Sequence, residues 1–433
     1  MEKFFSLLLC IALLITGVCI AGCSTTAPAS TPGAMITIAG APEPSSVMIL
    51  HGPRLGLINA SSAIVYWETG SPVSGEIQWG TAPDNYPSVL RNASATIRHS
   101  FLLTGLLPQT SYHYRIISGN TRSSDFTLTT AALPGTGFQF ITLADNRGPN
   151  VATDRKNATP PFQSIMNLIA AKKFGDTSFV LHGGDIFYGG SDLATEYQLY
   201  DAFLGATDPV ASQMPFLVSP GNHEMVTPAN PNEYNPKDLF AAEFAQPSVL
   251  PGYEGTVYSW DWGNSHFVSI DTSHYDPAEP TYSHLFYLDN AQINWLDLDL
   301  AAAEARGVRH IFVFSHSFAY PDTLDNLESL GHYPAQRDLF WQVMAKHHVD
   351  VYITGHAHEF SDSFGQNGVV QWLNGNSGSV LSPNGGTGKN EFTLWKVDGD
   401  TVTASLINDQ GQIVYTRQIV SSQQNFKSYF FSD

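Results

Sequence analysis

Cysteine is nearly missing from this sequence. Cys10, Cys19 and Cys23 are the only ones among 433 residues, and all stand at the N-terminal end. Cleavage before Cys23 would leave a single cysteine and no intramolecular disulfide, so the globular part must hold itself together by its core. Basic residues are scarce as well: 20 Lys and Arg stand against 39 Asp and Glu, a formal net charge of −19. A surface of that sign repels nucleic-acid backbones and excludes a sequence-independent binder of DNA or RNA. It does not exclude a small phosphorylated ligand, because bound metal ions reverse the sign locally. Internal repeats are absent, and no second apolar run is long enough to span a bilayer. What the chain does have is 43% apolar residues with abundant Phe and Tyr, enough for a large core divided over two domains or three.

The first 23 residues form a targeting segment. Lys3 precedes an apolar run from Phe4 to Ile20, followed by Ala21-Gly22-Cys23. The run is short for a membrane-spanning helix, and small residues precede the cysteine. The pattern looks like a lipoprotein signal, in which Cys23 becomes the lipidated first residue of the mature chain. An ordinary signal peptide or an uncleaved anchor are the alternatives. Each of these puts the protein outside the cytoplasm, in contact with a membrane only through its N-terminal lipid or anchor. Residues 24–45 are rich in Ser, Thr, Ala and Pro, cannot bury a core, and read as a tether.

Residues 46–133 carry β signals alone. Ala63–Thr69, Gly75–Trp79, Phe101–Leu103 and Tyr112–Ile116 predict short strands separated by turn residues, the pattern of an all-β sandwich. Trp67 and Trp79 are read as core residues rather than a ligand platform. From 136 to 425 the pattern becomes α/β. Strands are expected at Phe138–Leu143, Ser178–Leu181, Phe216–Val218, His266–Ile270, His310–Phe314 and Val349–Ile353. Helices are expected at 162–174, 291–307 and 337–347.

Chemistry-bearing residues follow the strands. Asp145 comes after the first, Gly184-Asp185 with Tyr188 after the second, and Gly221-Asn222-His223-Glu224 after the third. Later strands end in Ser315-His316 and in Gly355-His356-Ala357-His358. Ligands bind open α/β sheets beyond the carboxyl ends of the strands. Oxygen and imidazole donors gathered there suit iron, zinc or manganese. Each piece alone is common; their joint order at successive strand ends is not.

That order resembles the purple acid phosphatases, a branch of the calcineurin-like metallophosphoesterases. The resemblance extends to Gly52-Pro53-Arg54, Trp67, Tyr258–Asn264 and Gln292–Leu296. It implies an α/β metallophosphoesterase sandwich of mixed β-sheets flanked by helices, preceded by a fibronectin type III-like sandwich. Leu106–Tyr112 is similar to the tyrosine corner of that fold. The resemblance further implies Asp145, Asp185, Tyr188 and His358 around a first metal, ferric iron in the family. Asn222, His316 and His356 would hold a second, iron, zinc or manganese, with Asp185 bridging. The implied reaction is hydrolysis of a small phosphate monoester by a metal-bound hydroxide, with His223 protonating the leaving alkoxide or binding the phosphoryl oxygens.

The sequence departs from the family at Arg147, where a small residue is usual. Arg147 either reaches a phosphate oxygen or pairs with a carboxylate such as Asp185 or Glu224. Phe318 and Glu359-Phe360 also differ from the usual pattern, which alters the expected pocket wall. His266 is expected to pack, and His274 and His284 to be solvated. Phosphodiester hydrolysis on the same centre, or a catalytically silent cell-surface binding protein, remain the alternative readings.

Overall fold

The computed structural model describes residues 46–154, 158–190, 192–226, 230, 232–273, 286–320, 328–382 and 387–420. The signal segment, the tether, His274 and His284 lie outside the described residues. Among the described residues, no helix is long and apolar enough to cross a membrane.

The N-terminal part is all β: β1 (Ile49–Ile58), β2 (Ser62–Gly80), β3 (Ser88–Thr104), β4 (Ser111–Ser118), β5 (Thr121–Arg122) and β6 (Phe126–Thr129). The two strands expected at 63–69 and 75–79 are one, β2. Its first half pairs with β1, and its second half with β4. β3 runs alongside both halves, and its register slips between Glu68 and Gly75 of β2. The six strands therefore form one connected sheet that bends at this irregularity. Trp67 and Trp79, one from each half of β2, are buried in a common core with Leu103, Tyr114 and Ile116. The Leu107 amide donates to the Tyr112 hydroxyl at 2.8 Å, which is the bond a tyrosine corner makes.

Two mixed sheets follow. The first has the order β18-β17-β16-β7-β8-β9, with β7 (Phe138–Leu143), β8 (Val180–His182), β9 (Phe216–Val218), β16 (Glu391–Asp398), β17 (Thr401–Asn408) and β18 (Ile413–Val420). The second has the order β10-β11-β12-β13-β15-β14. Its strands are β10 (Tyr258–Trp262), β11 (Ser265–Ser269), β12 (His310–Phe314), β13 (Val351–Thr354), β14 (Phe360–Gln366) and β15 (Val369–Asn374). β7, β8 and β9 are mutually parallel, and so are β11, β12, β13 and β15. Successive side chains of a strand face opposite ways, and here both faces are apolar. Phe140 of β7 and Phe312 of β12 point between the sheets, where their rings meet edge to face at 5.2 Å. Phe140 also stacks on Trp395 of β16, and Phe312 on Phe267 of β11.

The alternate residues pack outward. Ile141 and Leu143 meet α2 (Pro160–Ala170) and α3 (Leu193–Ala211). Ile311 and Val313 meet α5 (Asn290–Ala305) and α6 (Pro334–Lys346). Two short helices, α1 (Val151–Asp154) and α4 (Pro236–Phe244), complete the set. Of these, α1, α3 and α4 were not expected from the sequence. α6 begins at Pro334 rather than Arg337, because proline is favoured in the first turn of a helix.

The N-terminal sheet is fastened to α3. Arg54 of β1 is fully buried and donates to the Leu204 carbonyl, Thr207 Oγ1 and the Asp208 carboxylate. His51 lies between Asp208 at 3.1 Å and Asp201 at 2.9 Å.

Candidate metal centre

The carboxyl ends of β7, β8, β9, β12 and β13 deliver Asp145, Asp185, Asn222, His316 and the pair His356 and His358 to one place. Four of these residues have left-handed backbones: Asp145 at φ 57°, Asp185 at 55°, His356 at 75° and His358 at 27°. Non-glycine residues rarely adopt this region, and they hold it only where the surroundings fix it. Bonds between the loops do the fixing. The Asp145 amide donates to the Gly184 carbonyl, the Ser379 amide to the Asp145 carbonyl, and the His356 amide to Asp145 Oδ2. Gly221 and Gly355 are required by close approach. A Cβ at Gly221 would collide with the Asp185 amide and carboxylate, and one at Gly355 with the Asp145 carboxylate.

Two groups of donors result, and Asp185 belongs to both. Donor atoms of Asp185, His316 and His356 lie within 4.8 Å of one another, as do those of Asp145, Asp185 and His358. Asn222 Oδ1 stands 3.0 Å from both His316 Nε2 and His356 Nδ1, and those two nitrogens are 3.1 Å apart. His316 Nδ1 donates to the Gly183 carbonyl at 2.8 Å, so its Nε2 is a lone-pair atom. His358 Nδ1 likewise donates to the Val380 carbonyl at 2.9 Å. Its Nε2 faces Asp145 Oδ1 at 3.6 Å, and neither atom has a hydrogen-bond partner among the described residues.

Buried acceptors that face acceptors are costly unless a cation sits between them. The residues present therefore fit metal ions, and the donor types are those of iron, zinc and manganese. Burial, with the Arg147 charge adding, pushes the His358 imidazole down to about 4. Burial also drives His356 well below its ordinary value and lowers His316. Neutral imidazole is the form that binds a metal. Burial, then the charge of Asp185, pushes the Asp145 carboxyl well up. Burial acts on Asp185 too, but the neighbouring His316, His223 and Arg147 side chains hold its carboxyl low.

The remaining expected residues form a rim. His223 donates its amide to Asp185 Oδ1 and ties Nδ1 to the Tyr188 carbonyl at 2.7 Å. Its Nε2 lies 3.8 Å from Asp185 Oδ2. Tyr188 is 41% exposed, and its ring lies 5.1 Å from that of His223. Of the partners weighed for Arg147, the structure shows Asp185, with Nε 3.2 Å from Oδ2. Phe318 is buried with Ala357 and Leu373, its ring tilted against that of His356. His266 does pack, paired with Asp261 and Asp299.

Several positioning residues escaped the sequence reading. Glu224 accepts the backbone amides of Gly221, Asp185 and Ile186, which joins the loops after β8 and β9. Burial, then the Asp185 charge, pushes its carboxyl up to about 8, against those donors. Asp154 accepts the amides of Gly148 and Tyr188, and so sets the rim. Gln371 accepts the Ala319 and Tyr320 amides behind His316. The only sequence signal for any of these was the Glu that closes Gly221-Asn222-His223-Glu224.

Comparison with known proteins agrees with this geometry. Residues 158–360 match the model of the calcineurin-like phosphoesterases, and residues 51–130 match that of the purple acid phosphatase N-terminal domain. Human acid phosphatase type 7 is 27% identical over 329 residues, 69% of this chain and 67% of that one. A probable inactive purple acid phosphatase 1 of Arabidopsis thaliana is 26% identical over 60% of this chain but only 43% of its own length. The chain also spans 54% of mouse acid phosphatase type 7. Among solved structures, the purple acid phosphatase PPD1 from yellow lupin seeds superposes with a TM-score of 0.68 at 16% identity, covering 86% of this chain and 75% of that one. PhoD superposes with a TM-score of 0.62 at 13% identity, covering 88% and 94%. Residues 158–360 thus form a calcineurin-like phosphoesterase domain behind a purple acid phosphatase N-terminal domain, and the chain is similar to the purple acid phosphatases, which indicates a metal-dependent phosphoric ester hydrolase.

Proposed function

We propose that the chain hydrolyses phosphate monoesters with a pair of cations. One is held by Asp145, Asp185, Tyr188 and His358, the other by Asp185, Asn222, His316 and His356. A single observation carries this reading: buried acceptor atoms from both sheets face one another, and one carboxylate, Asp185, is common to both groups. When bound, the cations supply an activated water and neutralise charge on the attacking and leaving oxygens.

The chain's own residues do the rest. The Gly183 and Val380 carbonyls hold His316 and His358 so that each Nε2 lone pair is aimed into the centre. His223 has Nδ1 committed to the Tyr188 carbonyl, so in its doubly protonated form Nε2–H is the group that would pass a proton to the departing alkoxide. The Tyr188 phenolate suits a ferric ion, with iron, zinc or manganese as the second metal. The substrate is a small phosphorylated molecule rather than a nucleic-acid polymer, in keeping with the acidic chain. We place the protein outside the cytoplasm, tethered by a lipid on Cys23.

The test is metal analysis and turnover of the chain lacking residues 1–23, on p-nitrophenyl phosphate and bis-p-nitrophenyl phosphate. Expected are about two metal ions per chain, a phenolate-to-iron colour and faster monoester turnover, all lost in His316→Ala. Faster diester turnover would make it a phosphodiesterase. Bound metal without turnover of either ester would sink the broad-esterase reading and leave a narrow-specificity enzyme or a binding protein.

A further inference from the structure

We infer that Arg147 sets a preference for monoesters over diesters by binding the terminal phosphoryl oxygen that a diester lacks. This rests on the phosphoesterase reading above and goes beyond it to the substrate class.

Arg147 is placed with unusual care for a rim residue. Its amide donates to the Asp185 carbonyl at 3.2 Å, and the next amide, of Gly148, donates to Asp154. Its side chain is 17% exposed. Nε donates to Asp185 Oδ2 at 3.2 Å, and the guanidinium carbon lies 5.2 Å from the centre of the Tyr188 ring. The backbone, the carboxylate and the ring together fix the guanidinium plane. Both terminal nitrogens, Nη1 and Nη2, have no hydrogen-bond partner among the described residues.

The position matters as much as the restraint. His223 approaches the same Asp185 oxygen, and the Tyr188 ring lies against both His223 and Arg147. Arg147 therefore stands beside the carboxylate common to both donor groups, next to the residue assigned to the leaving oxygen. A monoester dianion has one more terminal oxygen and one more negative charge than a diester. A planar fork with two unpaired N–H edges recognises such an oxygen, whereas a diester presents an alkoxy group there.

The experiment compares the metal-loaded chain with Arg147→Lys and Arg147→Met on p-nitrophenyl phosphate and bis-p-nitrophenyl phosphate. Inorganic phosphate binding is measured by calorimetry, with metal content and melting temperature as controls. In Arg147→Met, kcat/KM for the monoester should fall about 10²–10³-fold, the diester value by about tenfold or less, and phosphate affinity by at least about tenfold. Arg147→Lys should recover part of the monoester loss, because charge returns without the fork. Equal losses on the two esters with unchanged phosphate affinity would overturn the inference and leave Arg147 as a partner of Asp185 alone. Loss of bound metal in both variants would do the same. Failure of the unsubstituted chain on both esters would instead defeat the broad-esterase reading, and phosphate affinity would still report on Arg147.

Discussion

Asp145, Asp185, His356 and His358 hold backbone conformations that cost about 1–3 kcal/mol apiece. Neighbouring loops maintain them, and Glu224 does the most visible part of that work. Its two oxygens accept three amides from two loops. Glu224→Gln keeps the shape but turns an N–H₂ group against a donor. We expect metal affinity to fall about 10–100-fold with the fold retained, read by metal titration beside circular dichroism; unchanged affinity would show that the clamp is dispensable. The donor residues themselves were legible in the sequence because each stands in a short motif after an apolar strand. Glu224, Asp154 and Gln371 act across loops far apart in the chain, and no local pattern reveals such partners. Arg147 was visible as a departure, but its partner, Asp185 rather than Glu224, is set by how the loops after β7 and β8 meet, which no local pattern shows.

At the scale of elements, the apolar strands declared themselves because both faces are buried and the runs are continuous. β2 was read as two strands because the turn residues Gly70, Ser71 and Pro72 interrupt it, yet the backbone continues through them. α3 stayed hidden for another reason. Its buried face mixes Leu199, Phe203 and Val210 with Thr195, Glu196 and Thr207, so no apolar stripe marks it. Part of that polarity serves the joint with β1, where Thr207 and Asp208 receive Arg54. Removing one partner of a buried ion pair strands the other. Arg54→Met should therefore lower stability by about 3 kcal/mol, seen as a shift of the urea midpoint. A shift no larger than that of Met48→Ala, at an exposed position, would show that the joint contributes little.

At the scale of the whole molecule, the acidic balance and the cysteine placement speak to location rather than fold. If Cys23 carries lipid, the full chain should sediment with membranes and Cys23→Ser should release it to the soluble extracytoplasmic fraction; sedimentation of both would favour an uncleaved anchor. The donors also divide by sheet. Asp145, Asp185 and Asn222 come from loops after β7, β8 and β9, while His316, His356 and His358 come from loops after β12 and β13. The two sheets are otherwise joined face to face mainly by apolar rings, which attract without choosing a direction. A cation held by donors from both sheets would act as a stitch along the seam. Loading the centre would fasten the two halves of the sandwich at the very rim where substrate enters, so the protein's working part and its closure would be one and the same.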